Sequence, residues 1–352
     1  MKRNIAAFKS LTGATLPVMN APMAGVTTPE MVAAVSNAGG LGVLAADFLE
    51  AGEITSAVAA VRAQTDKPFA VNLRIPSVAQ RGDCAPLVAS LEALRQELGC
   101  SETLPLPDFE DQFQAVLEAD IPVVRVCFGG FREIYADKLK EKGVRVIGAA
   151  TTLREAKVQR AAGVDAVLVQ GSEAGGPRLS FESSEEDAVG LMSLIGPASR
   201  ATGLPVVASG GVATGRQMAS CLVAGACAVE VGTYLVRTEQ SALHGAYRTA
   251  MEFACDTDAR FTPLISGRLT RALPGALFQA LKDVGIKALD YPAQLMAMRP
   301  IYRAAARCGR DDLLPLSCGQ SIPLGVPIDA AQALSVLVRD CRDVLQEDLC
   351  EL

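Results

Sequence analysis

The chain has 352 residues, half of them apolar and 20% charged, with a formal net charge of -6. That composition describes a soluble globular enzyme rather than a disordered or fibrous chain, and an acidic balance with no basic run leaves no footprint for nucleic acid or an anionic membrane surface. Ten scattered cysteines without a CxxC pair, and a single histidine, His244, make a disulfide framework or a metal site an unexpected outcome. Lys2 and Arg3 precede no long apolar run, so neither a signal peptide nor a spanning helix is expected, and a cytoplasmic location is. No feature of the sequence defines an oligomeric state.

In chain order, short runs rich in Val, Ile and Leu predict strands at 18–22, 41–45, 69–73, 122–127, 144–149, 165–170, 205–209 and 227–232, each followed by a helix-like stretch. Eight β/α units predict an α/β fold of the (β/α)8 TIM-barrel type. The runs are nearly continuous, as parallel strands covered on both faces require. Such a barrel uses about 250 residues. The surplus lies at 74–118 and 255–320, which both carry clustered prolines, LPLPDF at 104–109 among them. The expected organisation is therefore a barrel built from 1–73, 119–254 and 321–352, with 74–118 and 255–320 forming a smaller cap and substrate region. The stretch 328–347 has helical spacing and is expected to pack on the barrel's outer wall.

Active sites of such barrels lie at the carboxyl ends of the strands, and the loops after the last two strands often hold a phosphate. The seventh predicted strand ends in Ser209-Gly210-Gly211 and leads to a helix near Thr214; the eighth ends in Gly232-Thr233. Glycine lets a phosphate reach backbone N–H groups, and a helix N-terminus adds a favourable dipole; the same glycines also suit plain tight turns. Gly175-Gly176, after the sixth strand, adds a third close approach and points to an extended ligand across several strand ends. No lysine falls at a predicted strand end, which disfavours Schiff-base chemistry. One histidine and no HExxH give metal-assisted hydrolysis poor support.

Several stretches together resemble the nitronate monooxygenases, formerly 2-nitropropane dioxygenases: APMAGVTTPEMVAAVSNAGGLGVLAA (21–46), PFAVNL (68–73), LRQELGCSETLPLP (94–107), VQGSEAGGPR (169–178), the long run 204–239, SGRLTRALP (266–274) and SCGQS (317–321). The resemblance implies an FMN-dependent TIM barrel acting on a small molecule with O2. Carried over by position, it implies that Pro22, Met23 and Ala24 lie near the flavin ring and that Asn72, Gln170, Gly175 and Gly176 line the cofactor. It further implies that Gly210 and Gly211 with Glu230, Val231, Gly232 and Thr233 hold the phosphate end. Family members usually carry glutamine where this chain has Glu230, and a carboxylate beside a phosphate is repulsive unless it points elsewhere.

The family's catalytic histidine follows the two glycines, and here that position is Pro177. Proline cannot accept a proton. His244 is the only imidazole, and its place after the eighth strand puts it toward the outer wall. Oxidation of a nitronate, which is already deprotonated, needs no base, so the direct reading is oxidation of alkyl nitronates to carbonyl compound and nitrite without one. Candidate catalytic groups are Arg178, whose planar fork suits two nitro oxygens but which also reads as a surface arginine, and Glu173, a base only if burial raises its pKa and otherwise a structural carboxylate. Tyr234 either faces the ligand or fills the rim, and Cys127 reads as an inert core thiol. Two alternatives stand beside this: an NAD(P)H-dependent flavin reductase of quinones or enoyl thioesters, and an FMN-binding protein without turnover.

Overall fold

A computed structural model describes residues 1–76, 83–100, 103–182, 187–243, 245–283 and 285–347. Eight parallel strands form the barrel: β1 (Val18–Asn20), β2 (Gly42–Ala45), β3 (Phe69–Arg74), β4 (Val123–Cys127), β5 (Arg145–Ala150), β6 (Ala166–Gln170), β8 (Val206–Ser209) and β9 (Ala228–Val231). Between them falls β7 (Gly176–Pro177), which belongs to a second sheet. The barrel order is β1-β9-β8-β6-β5-β4-β3-β2, and a bridge between Met19 and Leu41 closes it. That seam is thin in backbone pairing, and the Asn20 side chain reinforces it by accepting from Val43 N–H at 2.8 Å and donating to Val43 O at 3.0 Å.

Every predicted strand is present, because alternate residues find two different apolar layers. In β4, Val124 and Val126 pack outward with the surrounding helices, while Val123 and Cys127 join an inner cluster with Met19, Val43, Ala70, Ile147, Leu168 and Val207. Phe8, from the helix Lys2–Thr12, and Leu179, from beyond β6, belong to the same inner cluster. The helix Ala330–Glu347 lies against the helix Gly215–Val223, as its spacing predicts, and contributes Leu334, Leu337 and Val338 to the outer layer. Gly215 allows that approach: a Cβ there would fall 2.4 Å from the backbone of Asp340 and Cys341.

The second sheet comprises β7, β10 (Arg260–Thr262), β11 (Thr270–Leu273) and β12 (Leu316–Ser317), all pairing antiparallel through β11. Residues from both insertions share one apolar cluster, with Leu87, Leu91 and Leu98 of the first against Phe278, Leu281, Met298 and Ile301 of the second. The helix Phe109–Glu118 departs from the expected cap boundary at 118. Its Phe109, Phe113 and Val116 pack in the barrel's outer layer, and Gln112 donates to the carbonyls of Ala46 and Leu49. The side chain of Asp108 caps this helix by accepting from Glu110 and Asp111 N–H. No helix among the described residues is long and apolar enough to cross a membrane.

Candidate active site

The ends of β8 and β9 stand side by side, since Ser209 pairs with Glu230 in register. Gly210 and Gly211 follow with φ of 115° and 73°, conformations that favour glycine. Side chains there would also be tight, with Ala174 at 3.1 Å from a Cβ on Gly210 and Glu173 at 3.0 Å from one on Gly211. Among the described residues, the N–H groups of Gly210, Gly211, Gly232 and Thr233 meet no protein acceptor. The helix Gly215–Val223 begins after Thr214, but its capping box is self-contained: Gln217 Oε1 accepts from both Ala213 and Thr214 N–H. The anion-binding capacity therefore rests on the glycine amides, with the helix dipole behind them. Met23 reaches the same place, its sulfur 3.7 Å from where a Gly232 Cβ would stand.

The two glycines after β6 have separate roles. Gly175 lies against the Cys318-Gly319 backbone, which a Cβ would approach to 2.3 Å and 2.4 Å. That contact is tied on both sides: Gly319 N–H donates to Thr233 Oγ1 at 2.8 Å, and Gln320 N–H donates to Glu173 O at 3.0 Å. Gly176 has φ of 74° and open space where its Cβ would be. Pro177 then pairs with Thr270 in β11, so the position of the family histidine is part of a strand that docks cap onto barrel.

A buried polar chain crosses the barrel interior beneath these loops. Glu230 is 3% exposed and faces Arg125 across the barrel. Arg125 Nη2 donates to Glu230 Oε1 at 3.2 Å; Nε lies 3.0 Å from Oε2 as a charge contact but is misaligned for a hydrogen bond. Ser209 Oγ donates to the same Oε1 at 2.8 Å. Arg125 Nη1 donates to Asn72 Oδ1 at 2.7 Å, and Asn72 Nδ2 donates to Asp47 Oδ2 at 2.8 Å. Burial raises the pKa of Asp47, with the Asn72 hydrogen bond and the charges of Arg125 and Arg74 opposing it. Burial likewise pushes the Cys127 thiol up to about 12, keeping it protonated, as an inert core cysteine should be.

The Glu230 carboxylate thus finds its partners, Arg125 and Ser209, inside the barrel. Asn72 and Gln170 also have partners within the chain: Gln170 Nε2 donates to Pro177 O at 3.2 Å, and its Oε1 accepts from Leu179 N–H at 3.1 Å. Arg178 is 1% exposed and donates through Nη1 to Gly171 O at 2.8 Å, so it is not a surface arginine. The β7–β11 pairing folds it down. Glu173 accepts from Leu191 N–H through both carboxylate oxygens at 3.0 Å, capping the helix Leu191–Thr202; this is the structural role, and it leaves the base reading without support. Tyr234 donates to Ala333 O on the outer wall at 3.0 Å, away from the strand ends. His244 lies outside the described residues.

Asp47, Arg74, Arg125, Arg268 and Tyr291 join this region without having been singled out in the sequence. For two of them a signal was available: FAVNLR ends, and PVVRVC is interrupted, with an arginine in a largely apolar run, where a charge survives only with a partner or a ligand.

Enzymes built on such a closed parallel barrel carry their active sites at the carboxyl ends of the strands, the end at which these glycine turns lie. The family model for nitronate monooxygenase matches residues 6–340. A nitronate monooxygenase of Pseudomonas aeruginosa is 36% identical over 346 residues, covering 95% of this chain and 99% of that one. A probable nitronate monooxygenase of Staphylococcus saprophyticus is 31% identical over 340 residues, covering 94% and 95%. Among solved structures, nitroalkane oxidase from Streptomyces ansochromogenes has a TM-score of 0.89 at 30% identity, covering 97% and 99%. FabK from Thermotoga maritima has a TM-score of 0.79 at 26% identity, covering 98% of each chain. The chain belongs to the nitronate monooxygenase family and is a flavin-dependent oxidoreductase.

Proposed function

We propose that the protein oxidises alkyl nitronates with O2 to a carbonyl compound and nitrite, using FMN and no histidine base. The observation that carries this reading is Pro177, held in β7 against Thr270 where the family pattern has its histidine. A substrate that arrives as the anion has already lost the proton such a base would take.

The residues at the strand ends fit FMN. Unpaired amides at Gly210, Gly211, Gly232 and Thr233 suit its phosphate, and the segment Pro22 to Ala24, with Met23 beside Gly232, suits the ring. When bound, the flavin supplies the electron acceptor and the redox chemistry with O2. The chain's own part is to hold it, to keep the inner face apolar through Leu179 and Phe128, and to leave the substrate's protonation to solution.

Anaerobic mixing of the yellow protein with a pre-ionised nitronate, and separately with NADH and NADPH, tests this assignment. Nitronate should bleach the flavin and the pyridine nucleotides should not. Bleaching by NADH or NADPH alone would favour the reductase reading, and bleaching by neither would favour a flavin protein without turnover.

A further inference from the structure

At the carboxyl end of β3, Arg74 is 5% exposed and donates through Nη1 to the Tyr291 hydroxyl at 2.5 Å. Its Nε is buried and, like Nη2, meets no acceptor among the described residues. These two nitrogens form one planar edge of the guanidinium, the geometry that takes two oxygens side by side. A buried N–H without an acceptor is costly, and Nε of Arg74 is in that condition.

The surroundings are cationic. Arg268 stacks on the Tyr291 ring with its guanidinium carbon 4.6 Å from the centroid, while that of Arg74 stands 5.8 Å from the same centroid. Arg268 also lies 4.8 Å from the Phe128 centroid, just past β4. The pKa of Arg299 is lowered by burial first, then by repulsion from Arg303 and Arg74. Asp47 is the carboxylate whose charge is felt with Arg74, and its oxygens already accept from Asn72 and Cys127. The cluster therefore holds more positive than negative groups, and the Nε and Nη2 edge of Arg74 matches a planar anion.

We propose that Arg74 is the residue that binds the substrate's nitro oxygens, through Nε and Nη2, with Tyr291 fixing the guanidinium's orientation. This rests on the nitronate reading above. The site joins the strand end of β3 to the cap, because Tyr291 comes from the segment after the helix Ala276–Asp283.

The test uses the flavin-loaded protein and sodium nitrate, a planar anion that presents paired oxygens without turning over. Nitrate binding is read by calorimetry in the parent protein and in Arg74→Met, Arg74→Lys and Tyr291→Phe. The expected result is a dissociation constant weakened about tenfold or more in Arg74→Met, less in Arg74→Lys, which keeps the charge but loses the fork, and less again in Tyr291→Phe. The KM for a nitronate should rise in the same order, with kcat changing less. Equal nitrate affinity in the parent and in folded, flavin-loaded Arg74→Lys and Arg74→Met would overturn the assignment, as would a parent that binds no nitrate. Arg74-dependent nitrate binding without any nitronate turnover would contradict the proposed reaction while leaving the anion site standing.

Discussion

Glu230→Ala is expected to destabilise the protein by about 3–5 kcal/mol, the usual cost of stranding one member of a buried ion pair. Arg125 would keep its charge in the barrel interior with only Asn72 Oδ1 as an acceptor, and Ser209 would lose the oxygen to which it donates. In a chain of this size that corresponds to a fall in Tm on the order of 5–10 °C, measured by calorimetry on the flavin-free protein so that cofactor release does not contribute. Replacing both partners together, as Arg125→Met with Glu230→Leu, should recover much of the loss, because well-packed apolar pairs often match a buried ion pair in stability. If Glu230→Ala is as stable as the parent, the pair is not what holds the interior, and the carboxylate would have to be reassigned to the strand-end site.

Gly175→Ala is expected to empty the cofactor site. The new methyl would stand 2.3 Å from the carbonyl carbon of Cys318 and 2.4 Å from Gly319 N, and both are backbone atoms that cannot swing aside. The segment after β12 would have to lift, breaking the Gly319–Thr233 and Gln320–Glu173 hydrogen bonds and disturbing the Thr233 amide in the cradle. Overpacking of this kind costs about 1–3 kcal/mol or more. The sharper readout is flavin content per chain, expected to fall well below half of the parent's. Gly176→Ala is the comparison: it meets open space and carries only the strain of φ 74°, about 1–2 kcal/mol, and should retain flavin. Full flavin and an unchanged Tm in Gly175→Ala would mean that the loop contact has no part in building the site.

The barrel was legible because its signal is local. Buried parallel strands read as unbroken apolar runs, and every one of the eight appears within a residue or two of its predicted ends. The turn at Gly210-Gly211 was legible for the same reason, since a positive-φ turn announces itself in two adjacent residues. The polar interior was not. Glu230 and Arg125 are separated by 105 positions in the chain, and nothing in either strand names the other; the closure of the barrel brings them together. The burial of Arg178 was not legible, because the two-residue strand Gly176–Pro177 is too short to leave a pattern. Tyr291 and Arg268 reach the strand ends from the second insertion, through cap geometry that no spacing rule encodes.

Oxygen uptake by the flavin-loaded protein, given one nitro compound first as the neutral nitroalkane and then as its pre-ionised nitronate, tests the base-free reading most directly. With Pro177 at the histidine position, uptake is predicted with the nitronate, accompanied by nitrite, and none above background with the neutral form over the same interval. Equal uptake with both forms would contradict the account, because some group in the site would then be taking the proton that proline cannot.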